Sequence, residues 1–472
     1  MDDVLLQEYL TNGQMMLEAR NFRGAAESFA RAHAMAPDSL PIAQVTANAF
    51  RLADDVVNER AIWRKIFQIK DNLTTNERHE LGASLLAVGA PLEARTLFNE
   101  VCRERPQEPG AWSALASALR ASGSLDEAWI AVQRALDLEP DHPTFLLTAA
   151  QIRHAVGDLP DALHWLQRAD ASRPDHRGTR FQRGMTKLLA GDYATGWKDF
   201  ECRDRVAPRP GIRTWKGEPL DGGSLLITAE QGLGDLFQFV RFVQPLRERG
   251  AGRVVVEAPP STHRLLEWNG FEVCSPSEGP VTDWQLPLLS LPFQLGFIPS
   301  ATGTGAAPYL SAPDPRARQE AKTLKPIGFT WMGNPAFRAT VLRDFDPELI
   351  QAVGQLPGVR WMSLQYDEPV PPGFVASDLL GGDWLDTAVQ LRALAGVVSV
   401  DTSVAHLAGA MGIPTAVLLP YSPDWRWGLE TESTHWYGSV RLIRQLAPCD
   451  WRSVFPSLRA WVATISGADL SP

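Results

Sequence analysis

The chain has 472 residues, of which 44% are hydrophobic and 21% charged, and its formal net charge is −10. This length predicts two or three domains, and the acidic balance disfavours a nucleic-acid-binding role. The four cysteines are scattered without metal-ligand spacing, which argues against structural zinc and indicates a reducing compartment. No stretch reaches the roughly 18 apolar residues of a membrane-spanning helix, so we expect a cytoplasmic protein without a membrane span.

A repeat with a period of 34 residues runs through the first 205 residues. Its marks are Gly89, Gly123, Gly157 and Gly191, then Ala94, Ala128, Ala162 and Gly196, then Pro106, Pro140 and Pro174. The glycine is expected to end the first helix of a pair, and the small residue to let the second helix pack closely. The proline is expected to prevent that second helix from continuing.

This pattern resembles the tetratricopeptide repeat, whose period is also 34 residues. With an earlier copy and a degenerate copy near residues 45–72, we expect about five repeats over residues 1–205. The resemblance implies a curved array of helices whose concave face holds a peptide or protein. A purely structural spacer or a dimerisation arm is the alternative.

The end of the array differs from the other copies. The fifth copy has Trp197 and Phe200 in its second helix. Residues 206–223 are rich in proline and glycine and have no periodicity. We expect them to form a tether between the array and the next domain.

From residue 224 the pattern changes to alternating strands and helices, which predicts parallel sheets. We expect one α/β half at 224–315 and a second at 316–472, with a Pro/Gly/Ala-rich linker at 298–324 and a terminal helix. Asp346 and Pro347 form a good helix start, with an aspartate cap and proline at the first position. The predicted fold class is therefore α + α/β, a helical solenoid followed by two Rossmann-like halves.

Two strand–loop–helix segments are the candidate ligand sites. In the first, Gly232 and Gly234 are expected to let the loop turn tightly, with Asp235 at or near the helix start. In the second, Asp401 follows a buried strand, and the N–H groups of the next helix suit a phosphate. The alternatives are a turn with a capping aspartate in the first segment, and an ordinary capped helix with His406 in the core in the second.

At this point the chain resembles the heptosyltransferase-type glycosyltransferases of the two-Rossmann (GT-B) class, and more closely bacterial proteins that fuse such a domain to a tetratricopeptide array. The motifs that carry the resemblance are AEQGLGDLFQFVRF, VSVDTSVAHLAGAMGIPTAVLLP, GDYATGWKDFECR, WMGNP, LPYSPDWRWG and RLIRQ. The resemblance implies an inverting, metal-independent transferase that takes a nucleotide-sugar as donor and needs no cofactor. It also implies a protein Ser or Thr hydroxyl as acceptor, with flagellin among the candidates.

The resemblance also implies a set of site residues. Asp235 matches the general base, and two tryptophans, Trp425 and Trp427, are candidates to stack on a base or sugar, with core packing as the alternative. The donor-binding residues implied are Gly232, Gly234, Asn334, Arg343, Asp401, Thr402, Ser403 and His406.

The segment after WMGNP departs from the related pattern. Phe337 stands where the pattern has a histidine and Thr340 where it has an aspartate, while Arg343 is kept. The sugar, the nucleotide and the effect of this change on activity therefore stay open. Two other functions also remain, namely a transferase that builds lipopolysaccharide or another glycan, and a scaffold whose transferase half has lost turnover.

The sequence Asp344-Phe345-Asp346 is formally a DxD motif, the metal site of another glycosyltransferase fold. We interpret Asp346 as a helix cap instead, because helix ends and arginine stabilise phosphate without a metal. The sequence therefore predicts no metal site.

Overall fold

The computed structural model describes residues 2–205, 207–299, 307–314, 325–334, 342–377, 381–468 and 470. Phe337, Thr340 and most of the expected linker lie outside these residues. The chain divides into two compact units. The first contains the chain up to Val156 and Gln167–Arg173, and the second contains Gly157–Leu166 and nearly all of the chain after Pro174. The predicted boundary at residue 205 therefore falls inside the second unit.

Helices make up the described chain as far as residue 200, in six consecutive pairs along the sequence. They are α1 (Asp2–Glu18), α2 (Phe22–Met35), α3 (Leu40–Leu52), α4 (Val56–Phe67), α5 (Thr75–Ala87), α6 (Pro91–Glu104), α7 (Pro109–Ala121), α8 (Leu125–Leu138), α9 (Pro143–Val156), α10 (Leu159–Ser172), α11 (Arg177–Leu189) and α12 (Tyr193–Phe200). The expected tetratricopeptide-like array is confirmed, and its degenerate copy is the pair α3–α4.

The repeated glycines lie where the first helix of four pairs ends, at α5, α7, α9 and α11. Gly89, Gly123, Gly157 and Gly191 have φ angles of 75°, 84°, 89° and 80°. This left-handed conformation ends an α-helix, and a side chain with a Cβ adopts it only at a cost. The 34-residue glycine period is therefore a backbone requirement.

A second small position lies inside the first helix of two pairs, α1–α2 and α5–α6. A Cβ on Gly13 would lie 2.6 Å from the Phe29 ring, and one on Gly82 would lie 2.9 Å from the Phe98 ring. Each phenylalanine belongs to the second helix of the same pair and is buried. The small residue thus makes room for the ring, because a core packed this densely has no spare volume.

The second unit contains two sheets in which every strand pair is parallel. Sheet A has the order β1-β5-β2-β3-β4 and sheet B the order β11-β10-β9-β6-β7-β8. The strands are β1 (Arg213–Thr214), β2 (Ser224–Thr228), β3 (Arg253–Glu257), β4 (Glu272–Cys274), β5 (Trp284–Pro287), β6 (Ile327–Thr330), β7 (Trp361–Ser363), β8 (Phe374–Val375), β9 (Gly396–Val400), β10 (Thr415–Leu419) and β11 (Val440–Arg444).

Three of these strands differ from the sequence prediction. The stretch expected to be an irregular tether contains β1, which pairs with β5, while β8 and β11 were not predicted. Both β1 and β8 have only two residues, which is too short for a pattern of alternating side chains to show. The expected parallel sheets themselves are confirmed.

Helices connect these strands, as parallel pairing requires. They are α13 (Leu233–Phe239), α14 (Val243–Glu248), α15 (His263–Trp268), α16 (Leu291–Leu295), α17 (Pro347–Gly354), α18 (Trp384–Ala393), α19 (Ser403–Ala410) and α20 (Phe455–Ser466). The predicted start of α17 is confirmed, because the Asp346 carboxylate accepts a hydrogen bond from the Glu348 N–H at 2.8 Å.

The strand order places a crevice in each sheet. Numbered from its first strand, β6, sheet B has the order 3-2-1-4-5-6, which is that of a doubly wound nucleotide-binding sheet. The order reverses between β6 and β9 in sheet B, and between β2 and β5 in sheet A. Ligands of such sheets bind beyond the carboxyl ends of the strands at this reversal. The residues that follow these four strands therefore lie at the expected ligand crevices.

The last helix pair is part of the α/β core. The Trp197 ring of α12 meets the Trp425 ring at a centroid distance of 5.2 Å, and Phe200 meets the same ring at 5.7 Å. Trp197 also donates its indole N–H to the Phe297 carbonyl oxygen at 2.8 Å. All three rings are buried. The aromatic residues that made the last repeat atypical, counted as the fifth in the sequence but the sixth pair in the structure, are therefore core residues of the second unit.

A buried ion pair follows α12. The Arg203 side chain is 1% exposed and that of Glu230 is 3% exposed. The guanidinium bonds Oε1 of Glu230 through Nε at 3.0 Å and also through Nη2, and it donates to the Ser290 hydroxyl at 2.8 Å. Burial still raises the pKa of Glu230. Because Glu230 follows β2, this pair anchors α12 at the reversal point of sheet A.

Replacing Arg203 should strongly destabilise the second unit. Arg203→Met leaves Glu230 buried without its cation, and breaking a buried pair in this way costs about 3–5 kcal/mol. Urea unfolding followed by tryptophan fluorescence measures the loss. The control Arg23→Met removes a side chain that is 91% exposed and should change stability by less than about 0.5 kcal/mol.

Adding Glu230→Gln to Arg203→Met should recover part of the lost stability, because the buried carboxylate is then replaced by a neutral amide. Equal stability of Arg203→Met and the control would contradict the structural role of the pair.

Candidate functional site

The loop between β2 and α13 turns at a different residue from the one expected. Gln231 has a φ of 59°, whereas Gly232 has a φ of −91° and is the N-cap of α13. Gly234 lies within α13 and is not among the glycines with positive φ. A left-handed glutamine is a strained conformation that the surrounding structure must hold. The turn is thus made at Gln231, and the expectation that the two glycines make it was wrong.

Gly234 is needed for a close approach between the two halves of the second unit. A Cβ at this position would lie 2.8 Å from Cδ2 of His406, which belongs to α19. Helices α13 and α19 pack against each other here. Since α13 follows a strand of sheet A and α19 follows a strand of sheet B, the carboxyl edges of both sheets meet at this point.

Asp235 joins the two halves through an ion pair. Its Oδ1 contacts Nη2 of Arg426, which lies in the loop after β10, and its Oδ2 accepts a hydrogen bond from the Gly232 N–H at 3.0 Å. The two side chains are 14% and 10% exposed, respectively. Asp235 is the third residue of α13, near the helix start as expected, although the N-cap itself is Gly232. Its carboxylate also caps the backbone.

Arg426 is held by several groups at once. Its Nε donates to Oε1 of Gln238 at 2.6 Å, and its Nη1 donates to Oδ1 of Asp424 at 2.9 Å. The guanidinium also lies 4.7 Å from the centre of the Trp425 ring. Burial opposes the charge, but Asp424 and Asp235 raise the pKa of Arg426 further above its usual value. The sequence reading missed this residue, although Arg426 stands between the two tryptophans it had singled out.

Asp401, at the end of β9, is the buried acid of sheet B. Its Oδ2 lies 3.5 Å from Nη2 of Arg343, and its Oδ1 lies 3.5 Å from Nε2 of His406. Arg343 also donates to the Asp401 carbonyl oxygen. Burial opposes ionisation, yet Arg343, His406 and Arg426 together hold the pKa of Asp401 well below its usual range. Asp401 is thus a carboxylate surrounded by cationic and polar groups at the reversal point between β6 and β9.

His406 links this acid to an aromatic layer. Its Nδ1 shares a hydrogen bond of 2.8 Å with the Tyr437 hydroxyl, and its ring stacks on Trp427 at a centroid distance of 5.3 Å. Trp425 is 1% exposed and Trp427 is 2% exposed. Neither tryptophan offers an open ring face, so the core-packing alternative describes both in this structure.

The other predicted donor-binding residues lie next to Asp401 or at the end of a described range. Thr402 is the N-cap of α19, its hydroxyl lies 2.9 Å from that of Ser399, and Ser403 is the first residue of the helix. Both are partly exposed. Asn334 is exposed and is the last described residue before a gap. The sequence thus identified residues on both sides of the contact between the halves.

The acids of the DxD sequence point to backbone groups. Asp346 caps α17, and Oδ1 of Asp344 accepts a hydrogen bond from the Gly333 N–H at 3.2 Å. Within the described ranges, no group of three or more His, Cys, Asp or Glu side chains is placed to hold a metal ion. In the same ranges no helix combines the length and apolarity needed to cross a membrane.

The fold and site describe a helical-repeat protein with an α/β unit of parallel sheets. The tetratricopeptide-repeat family model matches residues 109–152. The chain is 26% identical to Protein FlbA of Caulobacter vibrioides over 480 aligned positions, which cover 89% of this chain and 78% of FlbA. It is 29% identical to human Tetratricopeptide repeat protein 13 over 136 positions, which cover 28% of this chain and 16% of that protein.

Solved structures give a weaker likeness. TTC0263, a thermophilic TPR protein of Thermus thermophilus, is 23% identical over 27% of this chain and 72% of its own, with a TM-score of 0.27. YrrB, a TPR protein with an unusual peptide-binding site, is 16% identical over 36% of this chain and 88% of its own, with a TM-score of 0.28. Both TM-scores are too low to support an argument. The chain is therefore similar to FlbA over most of its length, and residues 109–152 match a tetratricopeptide repeat.

The surroundings of Asp401 predict a pH-dependent contribution to stability. A carboxyl whose pKa is lower in the folded state stabilises the protein above its unfolded pKa of about 3.9, and that contribution disappears as the pH falls towards the folded pKa. Asp401→Asn should therefore be less stable than the wild type at pH 7, and the difference should shrink below about pH 4. Urea unfolding between pH 7 and pH 3 measures it, with the exposed Asp204→Asn as control. A difference that stays constant over this range would contradict the environment described for Asp401.

Proposed function

We propose that the chain is an inverting, metal-independent glycosyltransferase of the GT-B class that uses a nucleotide-sugar and needs no cofactor. The observation that carries this proposal is the contact between Asp235 of one half and Arg426 of the other, beside α19. This contact brings a carboxylate from the half with sheet A close to the start of α19. In a doubly wound sheet, a helix start at this position commonly binds phosphate. A transferase of two Rossmann-like halves needs an acceptor base and a donor site in this arrangement.

The donor side of the proposed site is at sheet B. The start of α19 and the Arg343 guanidinium would hold the diphosphate of the donor, because backbone N–H groups and arginine both favour phosphate oxygens. Arg343 is 29% exposed and pairs with Asp401 near the reversal point of the strands. Fixed positive groups of this kind stabilise the charge of the leaving phosphate, which removes the need for a metal ion.

The acceptor side of the proposed site is at Asp235. The carboxylate takes the proton of the acceptor hydroxyl while that oxygen attacks the anomeric carbon. The bond between the anomeric carbon and the phosphate oxygen breaks on the opposite face, so the configuration inverts and the nucleoside diphosphate leaves. Each carboxylate oxygen has two lone pairs, so Asp235 can accept this proton while it remains bonded to Arg426 and Gly232.

The proposed acceptor is a Ser or Thr hydroxyl of a protein that the array recruits, with flagellin among the candidates. The support is the confirmed array of helix pairs, an architecture that presents surfaces to polypeptides. The chain's own last pair, α11–α12, packs into the α/β core through Trp197 and Phe200. The proposed reaction centre and the end of the repeats are therefore built into one unit.

The base assignment is tested by Asp235→Asn. Asparagine keeps the size of the side chain but cannot accept the proton, so transfer should slow by about 10²–10⁴-fold while donor affinity stays the same. The measurements are transfer rate and donor binding on one sample, with a panel of nucleotide-sugars and serine- or threonine-containing proteins.

Asp424→Asn is the matched control for this variant. Asp424 also pairs with Arg426, at 2.9 Å, and it has no proposed role as base. If both variants slow transfer equally, the loss comes from disturbing Arg426 and the base assignment is wrong. Transfer only to glycans would support a glycan-building enzyme, and no transfer by the wild type would support a scaffold.

The donor site is tested by Arg343→Ala. Losing a charge-assisted contact should weaken nucleoside diphosphate binding by about 1.5–3 kcal/mol. Arg343→Lys should restore only part of the affinity because lysine lacks the two-pronged guanidinium. Calorimetric titration with UDP, GDP, CDP, ADP and dTDP measures it. Unchanged affinity in Arg343→Ala would place the diphosphate elsewhere.

A further inference from the structure

A cavity of about 480 Å³ lies in the second unit, between the last helices and the loop that carries Arg426. One wall consists of residues at the start of α10, the end of α11 and the start of α12. The other wall consists of residues from Arg426 to His435. The volume is within the usual range for a ligand pocket. No step of the reaction described above uses this cavity.

The charges around the cavity do not suit a nucleotide. Arg426 lines the cavity, and both Asp235 and Asp424 already pair with its guanidinium. The exposed Glu430 adds a negative charge. A diphosphate in the cavity would meet the carboxylate of Glu430 and an arginine whose charge is already matched. The donor is therefore expected at Arg343 and α19, and the cavity suits an uncharged ligand.

The polar and apolar groups suit a polypeptide better than a sugar. Thr431, Ser433 and Thr434 supply hydroxyls, which bond readily to peptide N–H and C=O groups. The lining also includes Leu159 and Leu429, which suit aliphatic side chains. The rings that commonly stack on sugars are not available here, since the lining residues Tyr193 and Trp427 are 8% and 2% exposed.

The cavity is also next to the proposed base. Arg426 lines the cavity, and Nη2 of the same residue contacts Oδ1 of Asp235. A segment held at this end of the cavity would therefore be separated from the carboxylate only by the Arg426 side chain. The opposite wall includes the start of α12, the last helix of the pairs.

We propose that this cavity binds the acceptor polypeptide, as a short extended segment beside the Ser or Thr whose hydroxyl reaches Asp235. The inference rests on the proposed function and adds the acceptor subsite to it. Arg426 then has two contacts, with the acceptor segment on one side and the base on the other. The hydroxyl-bearing loop 431–434 sets which segments fit.

Filling the cavity tests this proposal in the full-length chain. Leu429→Trp and, separately, Thr434→Tyr add bulk to the lining, and Leu446→Trp is the control because Leu446 is 78% exposed and is not among the lining residues. The probes are a pool of fluorescent 12-residue peptides with a central Ser or Thr and the same panel of five nucleoside diphosphates. Anisotropy measures peptide binding, and calorimetry measures diphosphate binding.

The expected result is a loss of peptide affinity of at least tenfold in both filled variants, with diphosphate affinity unchanged and with Leu446→Trp equal to the wild type. Unchanged diphosphate binding also shows that the variants are folded. Diphosphate binding without peptide binding by the wild type, or with equal peptide binding by the filled variants, would overturn the cavity proposal alone. If the wild type bound no diphosphate, the proposed function itself would fail. If an oligosaccharide pool bound and the filled variants excluded it, the occupant would be a glycan and the polypeptide proposal would be wrong.

Discussion

The second unit depends on the hydrogen bonds and ion pairs of the buried Arg426 guanidinium. One planar group bonds Asp235 and Gln238 from the first α/β half and Asp424 from its own loop. A buried cation is stable only when its hydrogen bonds are satisfied and its charge is matched. The two halves must therefore keep the distance at which these partners reach it. The same constraint explains why Gly234 has no side chain against His406.

A second buried ion pair attaches the end of α12 to the first α/β half. Arg203 reaches Glu230 at the end of β2, and Trp197 and Phe200 pack on Trp425 next to Arg426. The strained Gln231 lies between Glu230 and Gly232. The loop that leads into α13 is thus held at one end by the array's last helix and at the other by Arg426. The last helix pair, α11–α12, is therefore packed directly against the loop that carries the candidate site.

The charges at the proposed transferase site are nearly balanced. Positive groups are available on both sides of the contact between the halves, but carboxylates match them in the structure, so the site is polar and close to neutral. Arg343 and Asp401 lie at the reversal of sheet B, and Asp235 and Arg426 lie between the sheets. The cavity next to Arg426 adds room for a ligand without phosphates. Donor and acceptor would then approach from different sides.

The sequence by itself determined the repeat and the parallel sheets, because both come from local rules. A glycine every 34 residues from Gly89 to Gly191, and an apolar run before the helices of the α/β halves, can be read directly from the sequence. The candidate residues Asp235 and Asp401 were found in the same way, as acids that follow strands. Only the tertiary structure decided which groups face them. Arg426 comes 191 residues after Asp235, and Glu230 comes 27 residues after Arg203. Such pairs are set by the packing of whole helices and sheets, and no local pattern records them. For the same reason the sequence could not tell that Trp425 and Trp427 are core residues, or that Gly234 serves a close approach and Gln231 the turn.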